Sequence, residues 1–165
     1  MKIKHPSIKV LFICVACCFV LAASSFNNKN VNQRRHFSQI IENYEGKVIY
    51  LDFWASWCKP CRKEIRNTKK LKSLNQNKDI KFVYISVDLD KEQCERAIKK
   101  DGVIDTKNNY YLLDIIKDST YQNIKFNKML PYYAIIGKDG TICTNAPRPS
   151  EKEELQKKLD EFLKR

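Results

Sequence analysis

Histidine is almost missing from this chain. It has two, His5 and His36, and none beyond position 36. A structural zinc centre needs four ligands, commonly in two close pairs. The isolated Cys94 and Cys143 with a lone His36 offer no second pair, so a zinc clip is disfavoured. A copper-delivery protein would need a wider cysteine spacing than this chain has and a histidine downstream. Arginine-rich stripes and aromatic-basic motifs are also lacking. The formal charge of +12, from 31 Lys+Arg against 19 Asp+Glu, therefore reads as a solvated surface rather than a nucleic-acid face. There is no internal repeat and no low-complexity tract. Nor does any apolar run reach the roughly 20 residues of a full membrane span.

The longest such run, Ile8 to Ala23, is interrupted only by Lys9 and contains no acid. Lys2 and Lys4 precede it, and Ala22, Ala23, Ser24 and Ser25 follow it. Basic, apolar and small-residue regions in that order predict a secretory signal over residues 1–25, cut near Ala23 to Ser25 or kept as an anchor. A lipidated variant stays open, because "VAC" at 15–17 places a small residue before Cys17, although Cys14 stands where such a box carries leucine. Each version puts the folded part outside the cytoplasm, where disulfides persist. Residues 26–35 read as a flexible tether and 36–165 as one domain, since 165 residues suffice for a single substantial core.

Removing the signal leaves Cys58, Cys61, Cys94 and Cys143 of the seven cysteines, too few for a disulfide-dense scaffold. Phe37, Ile40, Ile41 and Tyr44 recur at helical spacing, with Gly46 placed to stop the helix. "KVIYLDFWA" (47–55) and "IKFVYISVD" (80–88) predict buried strands. A helix is expected from about Pro60 to Asn75, and another over 91–100, ended by Gly102. Residues 109–115 read as strand or extended chain and 118–126 as a short helix. "YYAII" and "TICT" flank Gly137–Gly140 as a hairpin. Ser150 and Glu153 predict a capping box for a last helix whose stripe is Leu155, Leu159, Phe162 and Leu163. Strands alternating with helices before a closing hairpin predict an α/β fold, a central mixed sheet with helices on both faces.

The stretch "WASWCKPC" (54–61) places Cys58 where a strand gives way to a helix. Unpaired N–H groups and partial positive charge at a helix start stabilise a thiolate, and Lys59 adds a cation. Pro60 suits the first turn, where its missing N–H costs nothing. Cys61, one turn on, can attack a mixed disulfide formed by Cys58. A permanent bridge closing two residues would gain little loop entropy. Asp52, between Leu51 and Phe53, is expected to be a buried acid of raised pKa that exchanges a proton with Cys61; a hydrogen-bonded polar residue at a strand end is the plainer alternative. Trp54 reads as core and Trp57 as surface. Cys94 and Cys143 read as buried small residues, with a bridge between them left open.

"LDFWASWCKPCRKE" (51–64) resembles the active-site strand, turn and helix of the thioredoxin superfamily. The signal, "LPYYAIIGKDGTI" (130–142) and "APRPS" before the last helix are similar to its extracytoplasmic TlpA/ResA-like branch. The resemblance implies a thioredoxin fold over 36–165 with a cis-proline at Pro131. It implies an attacking Cys58, a resolving Cys61 and Asp52 as proton carrier, although the TlpA/ResA-like branch often differs at that position. Trp57, Lys59, Pro60, Leu130 and Pro131 become the substrate-facing residues. Glu64 matches an acid carried by many cytochrome-maturation members, or is a first-turn acid. Leu130 stands where Thr, Val or Ile is commoner, and Arg66 replaces a helix-kinking proline.

The implied protein is a monomeric thiol-disulfide oxidoreductase with no cofactor beyond its own cysteine pair and no nucleic-acid partner. It acts on disulfide-containing proteins and is recharged by a membrane electron donor. Asp52 and Pro60 resemble reducing members, whereas Lys59 shifts the pair toward oxidation. An oxidase or isomerase with the same pair stays open, as does a redox-passive binding module.

Overall fold

The computed structural model describes residues 36–102 and 104–165. The expected signal, lipidation box and tether lie outside the described residues.

Five strands form one mixed sheet in the order β3-β2-β1-β4-β5. The strands are β1 (Val48–Trp54), β2 (Ile80–Ser86), β3 (Asn109–Tyr111), β4 (Tyr132–Ile136) and β5 (Ile142–Thr144). β1, β2 and β3 run parallel, while β4 lies antiparallel to β1 and β5 antiparallel to β4. The helices are α1 (Phe37–Glu42), α2 (Lys59–Leu74), α3 (Lys91–Asp101), α4 (Leu112–Ile115) and α5 (Lys152–Leu163).

β1 is central because every residue of it is buried, so neither face tolerates water. Its side chains alternate between two cores. Val48, Tyr50 and Trp54 point to the face covered by α2, α3 and α5, with Ile65, Leu71, Ile98, Leu155 and Phe162. Ile49, Leu51 and Phe53 point to the other, with Phe37, Ile40, Ile115 and Ile124. Phe53 anchors that second core, stacking on Phe126 at 4.7 Å between centroids and meeting Tyr132 edge-on at 5.5 Å.

Local chemistry sets the ends of these elements. Asp90 caps α3, its carboxylate accepting from the N–H groups of Glu92 and Gln93. Gly102 ends α3 at φ 62°, a left-handed turn that glycine adopts without penalty. In the β4–β5 hairpin, a Cβ at Gly137 would come within 3.1 Å of the Phe162 ring, so glycine there lets α5 close on the sheet.

Three expectations need correction. Ser150 and Glu153 form no capping box: Glu151 is the N-cap residue of α5 and makes no side-chain cap bond. The Ser150 N–H instead donates to Glu64 Oε2 at 2.8 Å, a buried carboxylate that outcompetes a local cap. The extended stretch after 109 is only three residues long and turns directly into α4. The short helix near 118 is 3₁₀, Ser119–Ile124, ended by Lys125 at φ 52°.

Candidate active site

β1 ends at Trp54, whose indole Nε1–H donates to Asn109 Oδ1 at 3.0 Å inside the core. The chain then turns, with Cys58 N–H donating to Ala55 O at 3.1 Å, and α2 starts. Cys58 is the N-cap residue of this 16-residue helix, and its sulfur accepts from the Cys61 N–H at 3.2 Å. Cys58 and Cys61 are joined by a disulfide, their Cα atoms 5.3 Å apart. Cys58 keeps 5% of its surface and Cys61 none, so an incoming group meets the Cys58 sulfur first. Trp57 (65% exposed), Lys59 and Pro60 stand in solvent around it.

Two polar latches hold this turn, and neither was foreseen from sequence. Buried Asp88, just past β2, accepts from Ser56 N–H at 2.9 Å and Ser56 Oγ–H at 2.7 Å. It also accepts from Ser86 Oγ–H at 2.8 Å. Arg62, in the first turns of α2, grips Asp101 with two bonds of 2.6 and 2.7 Å. Hydrogen bonding to Arg62 is the main cause holding the Asp101 carboxyl below its usual range. The polar "SVD" at the end of β2 was a weak signal for the first latch. Nothing local signals the second.

The Arg62–Asp101 pair has a sign that can be checked. Because Asp101 is depressed in the fold, its contribution is present above the unfolded carboxylate pKa and lost as pH falls through the folded one. Arg62→Met is expected to cost about 1–3 kcal/mol in urea unfolding at pH 7. That cost should shrink toward nothing once acid protonates Asp101.

Asp52 lies in β1 with Tyr84 of β2 and Tyr133 of β4 as its register partners. It is 1% exposed, and neither carboxyl oxygen has a hydrogen-bond partner among the described residues. The hydroxyls of Tyr84 and Tyr133 are buried and unpartnered likewise. Burial first, and then the charge of Glu64, push the Asp52 carboxyl well above the ordinary range, opposed by Lys72. The Lys72 ammonium sits 4.8 Å from the Tyr84 ring centroid, and burial lowers its own pKa. The strand-end alternative, a hydrogen-bonded aspartate, does not describe this carboxyl.

Glu64 is not a first-turn acid, for α2 has none there. It is buried on the inner face and holds the segment before α5 through Ser150. The peptide Leu130–Pro131 is cis and leads directly into β4. Phe53 pairs with Tyr132, so this peptide lies at the same sheet edge at which β1 delivers Cys58. Leu130 packs against the core that contains Cys58, Cys61 and Tyr133. A groove of about 770 Å³ runs from Leu130 and Pro131 past Cys143 and Asn145 to Lys157 of α5.

The other two cysteines are both free. Cys94 is buried, its sulfur 3.7 Å from Asn109 Nδ2, and burial raises its thiol pKa. Cys143 is half-exposed on edge strand β5 rather than buried. No helix among the described residues is long and apolar enough to cross a membrane.

Comparison with known proteins extends the picture. A family model described as thioredoxin-like matches residues 46–142. The thiol-disulfide oxidoreductase ResA of Bacillus thuringiensis subsp. konkukian is 26% identical over 127 residues, 76% of this chain and 66% of that protein. The thioredoxin-like protein YneN of Bacillus subtilis is 29% identical over 122 residues, 73% of this chain and 68% of its own. A solved thiol-disulfide oxidoreductase from Bacteroides fragilis superposes with a TM-score of 0.56 at 29% identity. That likeness covers 73% of this chain and 84% of the other. The chain thus spans 66% of the length of the ResA relative.

Proposed function

The chain belongs to the thioredoxin-like family, and on that footing we propose that it is an extracytoplasmic thiol-disulfide oxidoreductase that reduces protein disulfides. One observation carries the proposal: a cysteine pair already closed into a disulfide at a helix start, with a buried acid of raised pKa in the strand that delivers it.

The cycle begins with the pair reduced. The Cys58 thiolate, stabilised by the α2 N-terminus and the Cys61 N–H, attacks one sulfur of a substrate disulfide. One substrate sulfur leaves as thiolate and a mixed disulfide forms. Asp52 takes the Cys61 proton, the Cys61 sulfur attacks Cys58, and the second substrate sulfur leaves, taking up a proton. Two electrons have passed from the pair to the substrate, and the Cys58–Cys61 disulfide remains. A dithiol donor held in the membrane would restore it by the reverse exchange.

Trp57, Lys59, Pro60, Leu130 and Pro131 would frame the substrate chain. The basic and apolar start of the sequence supports export. Glu64, three residues past Cys61, supports apocytochrome c cysteines as one substrate class. The protein would act as a monomer, with the cysteine pair as its sole redox group.

Exposed Lys59 beside Cys58 favours the reverse flow, with the protein as oxidant. Titration of the pair against glutathione buffers separates the two. A potential near about −270 mV is expected, and one near about −120 mV would assign it to oxidation.

A further inference from the structure

The large apolar side chains left most exposed are not scattered. Of Trp57, Leu74, Leu89, Leu113, Ile116 and Met129, all but Leu74 belong to one edge of the sheet. The register shows why. β1, β2 and β3 are parallel and pair Trp54 with Ser86 and Ser86 with Tyr111, so their C-terminal ends lie side by side. Trp57, Leu89 and Leu113 follow those three residues by two or three positions. β4 runs the other way, so Met129 precedes Tyr132, the partner of Phe53, at the same edge.

Polar contacts tie these segments together. Asp88 holds Ser56, which sets Leu89 beside the turn of Trp57. Lys91 joins α3 to Asp114 of α4 at 2.8 Å, next to Leu113. On the β4 side, Lys125 and Lys128 both sit at positive φ, 52° and 65°, a conformation that side chains resist. Asn127 Oδ1 accepts from the Met129 N–H at 3.0 Å within that loop. Leu89 is 83% exposed, Leu113 53% and Met129 67%, so the edge stays open to solvent.

We propose that Leu89 and Leu113 extend the substrate contact of Cys58 to the side away from Pro131, and that the occupant is an incompletely folded polypeptide with apolar residues flanking its disulfide. This rests on the oxidoreductase reading above, and two observations select the occupant. The apolar edge is continuous with the Cys58 sulfur, so whatever covers it during exchange must bring a disulfide. Folded proteins bury the apolar neighbours of their disulfides, whereas unfinished chains display them. A bilayer on this edge would shut Cys58 away from protein substrates. The four side chains come from four separate segments without a shaped groove, which suits a sequence-tolerant partner.

The test uses the L89S/L113S double variant, whose sites are exposed enough to leave the fold intact. Two disulfide-bonded peptides are compared, one with Leu and Phe beside the cysteines and one with Ser and Gly. A fluorescent copy of the apolar peptide with Cys→Ala serves for anisotropy. The parent should show a KM about tenfold lower for the apolar peptide, and the double variant should lose that preference. Turnover of 5,5′-dithiobis(2-nitrobenzoate) should be unchanged, and the cysteine-free peptide should bind the parent alone.

Equal KM values in the parent, or a preference that survives in the variant, overturn the proposal. So does self-association, or binding to phosphatidylglycerol vesicles, that the double substitution abolishes in place of peptide binding. A parent that binds the cysteine-free peptide through Leu89 and Leu113 yet reduces no disulfide leaves the docking surface standing and refutes the redox reading instead.

Discussion

Cys58→Ser abolishes disulfide exchange, a loss of at least about a thousandfold in insulin reduction, because a serine hydroxyl is scarcely ionised where a thiol is. Cys61→Ser gives a different defect. Cys58 still attacks, but no second sulfur stands one turn on to release the substrate, so a covalent complex accumulates. The geometry sets this asymmetry. Cys58 caps α2 and retains surface, whereas Cys61 is wholly buried. A gel under non-reducing conditions should show a thiol-sensitive adduct with the Cys61 variant and none with the Cys58 variant. A redox-passive binding module predicts the opposite: both variants keep partner binding and neither traps a substrate.

Asp52→Asn is expected to slow release of that mixed disulfide by roughly a hundredfold, the usual scale of a lost general base. It should also change how stability depends on pH. The folded pKa of Asp52 is raised above its unfolded value by burial and by Glu64. Between those two values the folded protein holds a proton that the unfolded chain has released. The parent therefore loses stability as pH rises through that window, by about 1.4 kcal/mol for every pH unit the window spans. The Asn variant keeps the shape, cannot ionise, and should lack this slope, making it the more stable protein at neutral pH. Urea midpoints for parent and variant from pH 4 to pH 9 check the sign. Curves that stay parallel would show that Asp52 titrates as an ordinary carboxyl.

Much of this was legible in the sequence because it is written in short-range pattern. "KVIYLDFWA" carries seven consecutive residues that are all buried, as a central strand must be. Gly102 and the Leu155, Leu159 and Phe162 stripe mark the end of α3 and the inner face of α5. Trp54 in the core and Trp57 in solvent followed from their places before and within the turn.

What escaped depends on partners far along the chain. Ser150 has the composition of a helix cap, yet its N–H is claimed by Glu64, 86 residues earlier. Asp88 reaches back 32 residues to Ser56, and Arg62 reaches forward 39 to Asp101. Tyr84 and Tyr133 flank Asp52 only because the sheet order puts β2 and β4 on either side of β1. Cys143 looked like a core residue, but β5 is an edge strand and leaves it half-exposed.

The reactivity of Cys58 tests the account most directly. In the reduced protein, iodoacetamide should modify Cys58 ahead of Cys61, with a pH midpoint below about 8.5, the value of an unperturbed thiol. A Cys58 that stays unmodified at neutral pH, or that titrates at or above that value, would contradict it.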